Sequence, residues 1–396
     1  MNKLIWVCCC FYLLIGINSV VIAALLPELL NYYGRNYADG GNLLFAQFCG
    51  LLLGVLSQPW LSKKLGRTKM LSSTLWLIFA GLLLIAVLPP WIFVLCLIPL
   101  VGFGSGIIES TIGAMIIDTI KERTAVALSR LEVFYGVGAL IMPILISILI
   151  ASGQWKLSFY ATCLLALGLA WAWARFSRNH AQLLQQKPII ESHGLPHQYQ
   201  QGLLPLAMIS ICIAVFFIYV GLEMSLVNFL PSILIETMQL DAAFAALSVS
   251  FYWSAMIAGR MVCGLLAERF GYKRYMLWCA TGTLFVLASF LFVQTVWLAF
   301  AVITLIGLLM SGLFAIALIF ANSLFPGRTE QTTSKMIAAS GLGGACMSWL
   351  TGRFMENISV FFTLSFLVGL SLILVALLVA MTRMKPSQIG LSAIIK

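Results

Sequence analysis

The chain has 396 residues, of which 62% are hydrophobic and only 9% charged, with a mean hydropathy of +1.04 and a formal net charge of +10. No soluble domain has an interior for that much apolar surface, whereas roughly 246 apolar residues supply about twelve spanning helices at ~20 residues each. The composition excludes a soluble enzyme and predicts an all-α polytopic membrane protein with twelve transmembrane helices.

The first helix is predicted from about Leu4 to Leu30. Its start, MNKLIWVCCCFYLL, has the charge and apolar run of a signal peptide, but the run continues past Ala23 and Ala24, so an uncleaved helix is expected. The second helix takes about Asn42 to Ser62 and empties into KKLGRTK, and the third takes about Met70 to Leu88 before the Pro89-Pro90 turn. The fourth begins near Trp91 and carries VGFGSGIIESTIGAMIID to Asp118. The fifth covers about Leu131 to Ala151 and the sixth about Leu157 to Arg175.

Residues 176–203 are a long polar segment, expected to be a cytoplasmic linker between residues 1–175 and 204–396. It holds His180, His193 and His197, and HGLPH offers too few ligands for a metal site. Beyond it the rhythm repeats, with helices at about Leu204–Ser232, Phe244–Leu266, Tyr275–Val293, Val296–Leu324, Lys335–Phe354 and Ser359–Met381, then a short tail. The ten cysteines lie in apolar runs without CxxC spacing and read as packing residues.

With both termini placed in the cytoplasm, 19 lysines and arginines fall inside, against Arg35, Lys156 and Arg353 outside and Arg260 within a helix. That asymmetry sets the orientation in the cell's inner membrane and accounts for the net charge without nucleic acid.

The two halves match in local detail. LLPELL ends the first helix and FLPSIL the seventh; GVLSQPWLSKKLGRTK follows the second and GLLAERFGYKR the eighth; GVGAL in the fifth is answered by GLGGA in the eleventh. A parallel repeat of two six-helix halves resembles the major facilitator architecture. GLLAERFGYKR resembles the glycine-acid-basic-glycine-basic turn of that superfamily. Gly264 and Gly271 there would permit close packing and a tight turn, while Glu268 pairs with a helix end or a base and Arg269 holds the inner surface. In the first half Lys63 takes the acidic position, so that copy is degenerate.

GIIESTIGAMII, LEVFYGVGALIMP and YVGLEMSLVNFLPSI, in that order, resemble the fucose–galactose–glucose:proton symporter family, most closely its bacterial glucose/mannose:proton branch. The resemblance implies a role for Glu109 in proton coupling and substrate binding. The fucose branch has an acidic residue on its first helix. Here INSVVIAALLP offers only Asn18 and Ser19, so a relay of two carboxylates on helices 1 and 4 does not carry over.

Depth singles out the same residue. Glu109 lies ~27 Å from Trp91 and ~14 Å from Asp118 along the fourth helix, about halfway through a hydrocarbon core ~30 Å thick, where a carboxylate costs on the order of 3 kcal/mol. Burial disfavours the charged form of a carboxyl group, which suits one that takes up and releases a proton. Glu223 is the second deep carboxylate, ~14 Å before Ser232, and is assigned mainly to substrate. Asn18, Gln47, Asn228, Trp253 and Asn322 are candidate sugar contacts, with Tyr135, Tyr219 and Tyr252 beside them, because amides match vicinal hydroxyls and aromatics stack on sugar rings. Glu132, two residues from Arg130, suggests a salt bridge or gate, and Arg260 a structural or gating group near the inner surface.

The expectation is a monomeric, proton-coupled importer of a hexose or related polyol. It needs membrane lipid and a proton gradient but no cofactor or metal. The rival on the same fold is a proton-driven exporter of a drug, siderophore or other small metabolite.

Overall fold

The computed structural model describes residues 2–119, 124–179, 203–325 and 329–384. The histidines and most of the 176–203 segment lie outside the described residues. The described residues form α1 (Asn2–Tyr33), α2 (Tyr37–Leu65), α3 (Arg67–Ala86), α4 (Trp91–Thr119), α5 (Thr124–Ala151) and α6 (Leu157–Asn179). They continue with α7 (Leu203–Met238), α8 (Ala242–Phe270), α9 (Tyr272–Phe290), α10 (Val296–Met310), α11 (Leu313–Leu324), α12 (Thr329–Asn357) and α13 (Val360–Arg383). Because α10 and α11 form one span, Val296–Leu324, the molecule is an all-α bundle of twelve spans.

Ten spans are long and apolar enough to cross a membrane by composition alone. The other two, α9 and α12, carry Lys273 and Arg274 or the polar start TEQTTSK. Packing holds them in the bundle, α9 against α13 and α10, and α12 against α7 and α2.

The predicted cores of the helices hold, while their ends run further. The first and seventh helices do not stop at LLPELL and FLPSIL; α1 continues through Pro27 to Tyr33 and α7 through Pro231 to Met238. The apolar Leu29, Leu30, Ile233 and Leu234 beyond each proline are buried and keep the helix going. Glu223 is therefore deeper than the sequence estimate, ~22 Å from the end of α7.

The internal repeat reappears as paired contacts. Gly16 and Gly138 bring α1 and α5 together backbone to backbone, at Tyr135 and Leu13; Gly343 does the same for α12 and α7 at Phe217, and Gly221 makes room for the Met347 side chain. Gly50, Gly54, Gly102 and Gly106 knit α2 to α4, as Gly259 and Gly307 knit α8 to α10. Helices that share an apolar solvent gain little from burying Leu against Leu, so close approach at small residues carries their association.

The α2–α3 and α8–α9 links are single glycines in one conformation, Gly66 at φ 74°, ψ 149° and Gly271 at φ 86°, ψ 137°. Only glycine occupies that region without strain. The tight turn foreseen at Gly271 is thus present in both halves. The close packing expected at Gly264 is not found; a side chain there would meet open space.

Alternating spans put Lys63, Lys64, Arg67, Lys69, Arg130, Arg175, Arg178, Arg269, Lys273, Arg274, Lys335 and Arg383 at one end of the bundle, the basic face. Arg35, Lys156 and Arg353 lie at the opposite face.

Candidate functional site

The two halves meet along α2–α12, α5–α8 and α1–α7. At the opposite face they are fastened by polar contacts. The Tyr37 hydroxyl donates to Glu236 Oε1 at 2.7 Å, the Tyr37 backbone N–H to Glu356 Oε2 at 2.9 Å, and Trp349 Nε1 to Asn42 Oδ1 at 2.9 Å. Further in, Asn228 Nδ2 donates to Ser348 Oγ at 3.2 Å. Tyr37 opens α2, where helical N–H groups lack partners within the helix, so the Glu356 carboxylate satisfies one of them across the interface.

Toward the basic face the contact between halves is ionic. Arg260 Nη1 on α8 lies 3.5 Å from Glu132 Oε2 on α5, with side chains 29% and 54% exposed. Glu132 pairs with Arg260 and not with its sequence neighbour Arg130, which is exposed, because residues two apart on a helix do not face each other. The Arg260 guanidinium also lies over the Trp253 ring, 5.8 Å from its centroid, and within electrostatic range of Glu223. Arg260 therefore does not simply snorkel to the surface; it sits between carboxylates of both halves.

Tyr135 is the node of the centre. Its ring meets Trp253 edge to face at 5.5 Å, its hydroxyl lies beside Ser19, and its surroundings include Glu109, Glu132 and Glu223. The position follows from Gly16, which lets α1 come against the Tyr135 backbone. Tyr219 lies next to Glu223, one turn earlier on α7, and donates to the Met310 carbonyl at 2.9 Å. Glu109 is half-buried on α4, within electrostatic range of Glu132.

Several groups here have no protein partner. Asn18 is 1% exposed, yet neither amide atom has a hydrogen-bond partner among the described residues, and Trp253 Nε1 is likewise unpaired. Gln47 Nε2 donates to the Asn18 backbone carbonyl at 3.1 Å, which leaves the Asn18 side chain free. Buried polar atoms without partners are uncommon and costly.

The structure thus gathers Glu109, Glu132, Glu223, Trp253 and Arg260 around Tyr135, and brings Asn18 and Gln47 together where α1 meets α2. It separates others. Asn228 is bound to Ser348 on the way to the opposite face. Asn322, near the end of α11, donates to Thr333 Oγ1 at 2.9 Å, far from the centre. Glu268 and Arg269 are exposed at the basic face, outside the central cluster. Sequence reading passed over Tyr37, Asn42, Glu236, Trp349 and Glu356. Their partners lie 199 to 319 residues away, and no local pattern marks them.

The Major Facilitator Superfamily model matches residues 8–211 and again 211–393. The chain is 29% identical over 378 residues to the Glucose/mannose transporter GlcP of Bacillus subtilis (strain 168), covering 95% of this chain and 94% of that protein. Among solved structures, a peptide transporter POT in complex with sulfate superposes with a TM-score of 0.81 at 12% identity, covering 96% of this chain and 94% of that one. The xylose transporter XylE from E. coli, in an inward open conformation, superposes with a TM-score of 0.77 at 15% identity, covering 98% and 97%. At such identities the two structures speak for the fold alone. A family match over both halves and a twelve-span bundle closed at one face agree: this chain belongs to the Major Facilitator Superfamily and is a secondary transporter of a small solute, not an enzyme.

Proposed function

We propose that the protein imports a hexose or a related neutral polyol with protons, by alternating access, through a site around Tyr135. The observation that carries the reading is the buried, unpartnered Trp253 N–H next to Tyr135 and Arg260, whose surroundings include the Glu223 carboxyl. A second unpartnered group, the Asn18 amide, lies on α1, which packs against α5 and α7. A carboxylate, an amide and an indole N–H offer both acceptors and donors, which vicinal hydroxyls require. The full-length likeness to a glucose/mannose transporter supports the same solute class.

Glu109 and Glu223 divide the work. Glu109 faces the cluster from α4 in a half-buried setting and is the proton carrier; Glu223, fully buried on α7, holds solute. The Glu132–Arg260 pair joins the halves toward the basic face and must part and reform as they rock. Residues 1–175 and 204–396 are the moving halves and 176–203 the linker. The working unit is a monomer in lipid, driven by the proton gradient without a cofactor.

The direct test is uptake of labelled glucose and mannose into proteoliposomes. An imposed acid-outside gradient is expected to drive accumulation of at least one of them; no uptake of either sugar, with export of lipophilic cations instead, rejects the reading.

The basic face is assigned to the cytoplasm by its excess of lysine and arginine. A phosphatase fusion within residues 176–203 is expected to be inactive and one in the Gly34–Asn36 turn active; the reverse would invert the assignment.

A further inference from the structure

A cavity lies at the opposite face, away from the Tyr135 cluster, with several polar side chains in a partly apolar lining. It measures about 480 Å³ and is lined from both halves, by Glu28, Asn31, Arg35 and Tyr37 on one side and Ile235 and Glu356 on the other. That volume is in the range of small-molecule pockets. Two of its walls are the helices that also line the centre. Glu28 is ten residues beyond Asn18 on α1, ~15 Å, and Ile235 is twelve beyond Glu223 on α7, ~18 Å. Between the two levels α1 and α7 are buried, with Val21, Leu25, Phe229 and Leu230 as well as the polar Ser225, Asn228 and Ser232.

The lining selects a chemistry. Glu28 and Glu356 supply carboxylate acceptors, and Asn31 supplies both donor and acceptor. Arg35 is the cation in the lining, and its charge is already shared with Asp39 at 3.8 Å. The balance is mildly acidic, which disfavours an anion and suits a neutral molecule with many hydroxyls. Glu356 and Tyr37 are also partners in the contact that fastens α2 to α12, so a ligand bonded to Glu356 competes with that closure.

We propose that this cavity is a second solute station, where a neutral polyhydroxy molecule binds at the opposite face on its way to the centre. The solute class rests on the sugar reading above; the cavity and its polar side chains do not.

The test uses Asn31→Cys, an exposed position, in the full-length protein carrying Asn18→Ala and Glu223→Gln, which weaken binding at the central site. Its rate of modification by a membrane-impermeant maleimide is measured with increasing glucose or mannose, with the same protein lacking Asn31→Cys as the labelling blank. Either sugar is expected to slow labelling several-fold. Adding Glu28→Gln is expected to raise the half-protecting concentration about tenfold, since it removes a charged acceptor. If wild type takes up the sugar but labelling at position 31 never changes, the second station is wrong while the transport reading stands. If neither uptake nor protection is seen, the sugar reading has failed and takes the station's solute with it. Protection by lipophilic cations but by neither sugar overturns the proposed solute class.

Discussion

Glu109→Gln is expected to abolish accumulation while leaving solute binding and exchange intact. An acid-outside gradient of one unit holds about 1.4 kcal/mol per proton, which supports at most about tenfold accumulation at one proton per solute. The Gln side chain keeps the size and half-buried position of Glu109 but has no proton to exchange. Its accumulation ratio should fall to about one at any imposed gradient. Counterflow, in which solute exchanges across the membrane with no net proton movement, should continue. Both are measured in one proteoliposome preparation, so a misfolded variant, which loses counterflow as well, is told apart from an uncoupled one. Gradient-driven accumulation at the wild-type level would remove Glu109 from the mechanism.

Glu223→Gln should act on affinity instead. The carboxyl is 5% exposed, adjacent to Tyr219 and within reach of the Arg260 charge. Hydrogen bonds to a charged group contribute ~1.5–3 kcal/mol each, and Gln keeps one carbonyl acceptor, so binding of a sugar should weaken about tenfold or more with proton coupling preserved. For a cationic solute the same carboxylate would be the counter-charge, and Gln would abolish binding of cations while sparing neutral compounds. Binding of glucose, mannose and a panel of lipophilic cations to wild type and variant separates the two. Cation binding lost in the variant, with no sugar bound by either protein, would favour the exporter.

What could be read from sequence was whatever repeats locally or is forced by the lipid. Apolar runs gave the spans, and GVGAL against GLGGA gave the correspondence of α5 and α12, whose Gly138 and Gly343 make matching close contacts with α1 and α7. The depth of Glu109 and Glu223 singled them out because a carboxylate in hydrocarbon needs a reason. Partnerships between halves stayed hidden. Nothing near Glu132 points to Arg260, 128 residues away, and its charged neighbour Arg130 drew the eye instead. Asn322 stands in an apolar run, but it lies two residues from the end of α11, and the structure spends it on Thr333. The emptiness around the Asn18 amide is likewise a property of three-dimensional packing, since it depends on where Gln47 points.

The tenth span differs from its counterpart in the first half. α4 runs unbroken from Trp91 to Thr119, whereas the matching span stops as α10 at Met310 and resumes as α11 at Leu313. Tyr219 takes up the Met310 carbonyl released there, which removes the usual objection to a gap in the hydrogen-bond ladder within a membrane. A helix interrupted in this way bends at the gap at lower cost than a continuous one. The second half therefore contains an elbow where the first has a strut, and its α11 segment can tilt at the basic face while α10 stays packed on α8. If the halves rock as proposed, the second would also flex at this joint, and opening of the basic face would be easiest on the α11 side.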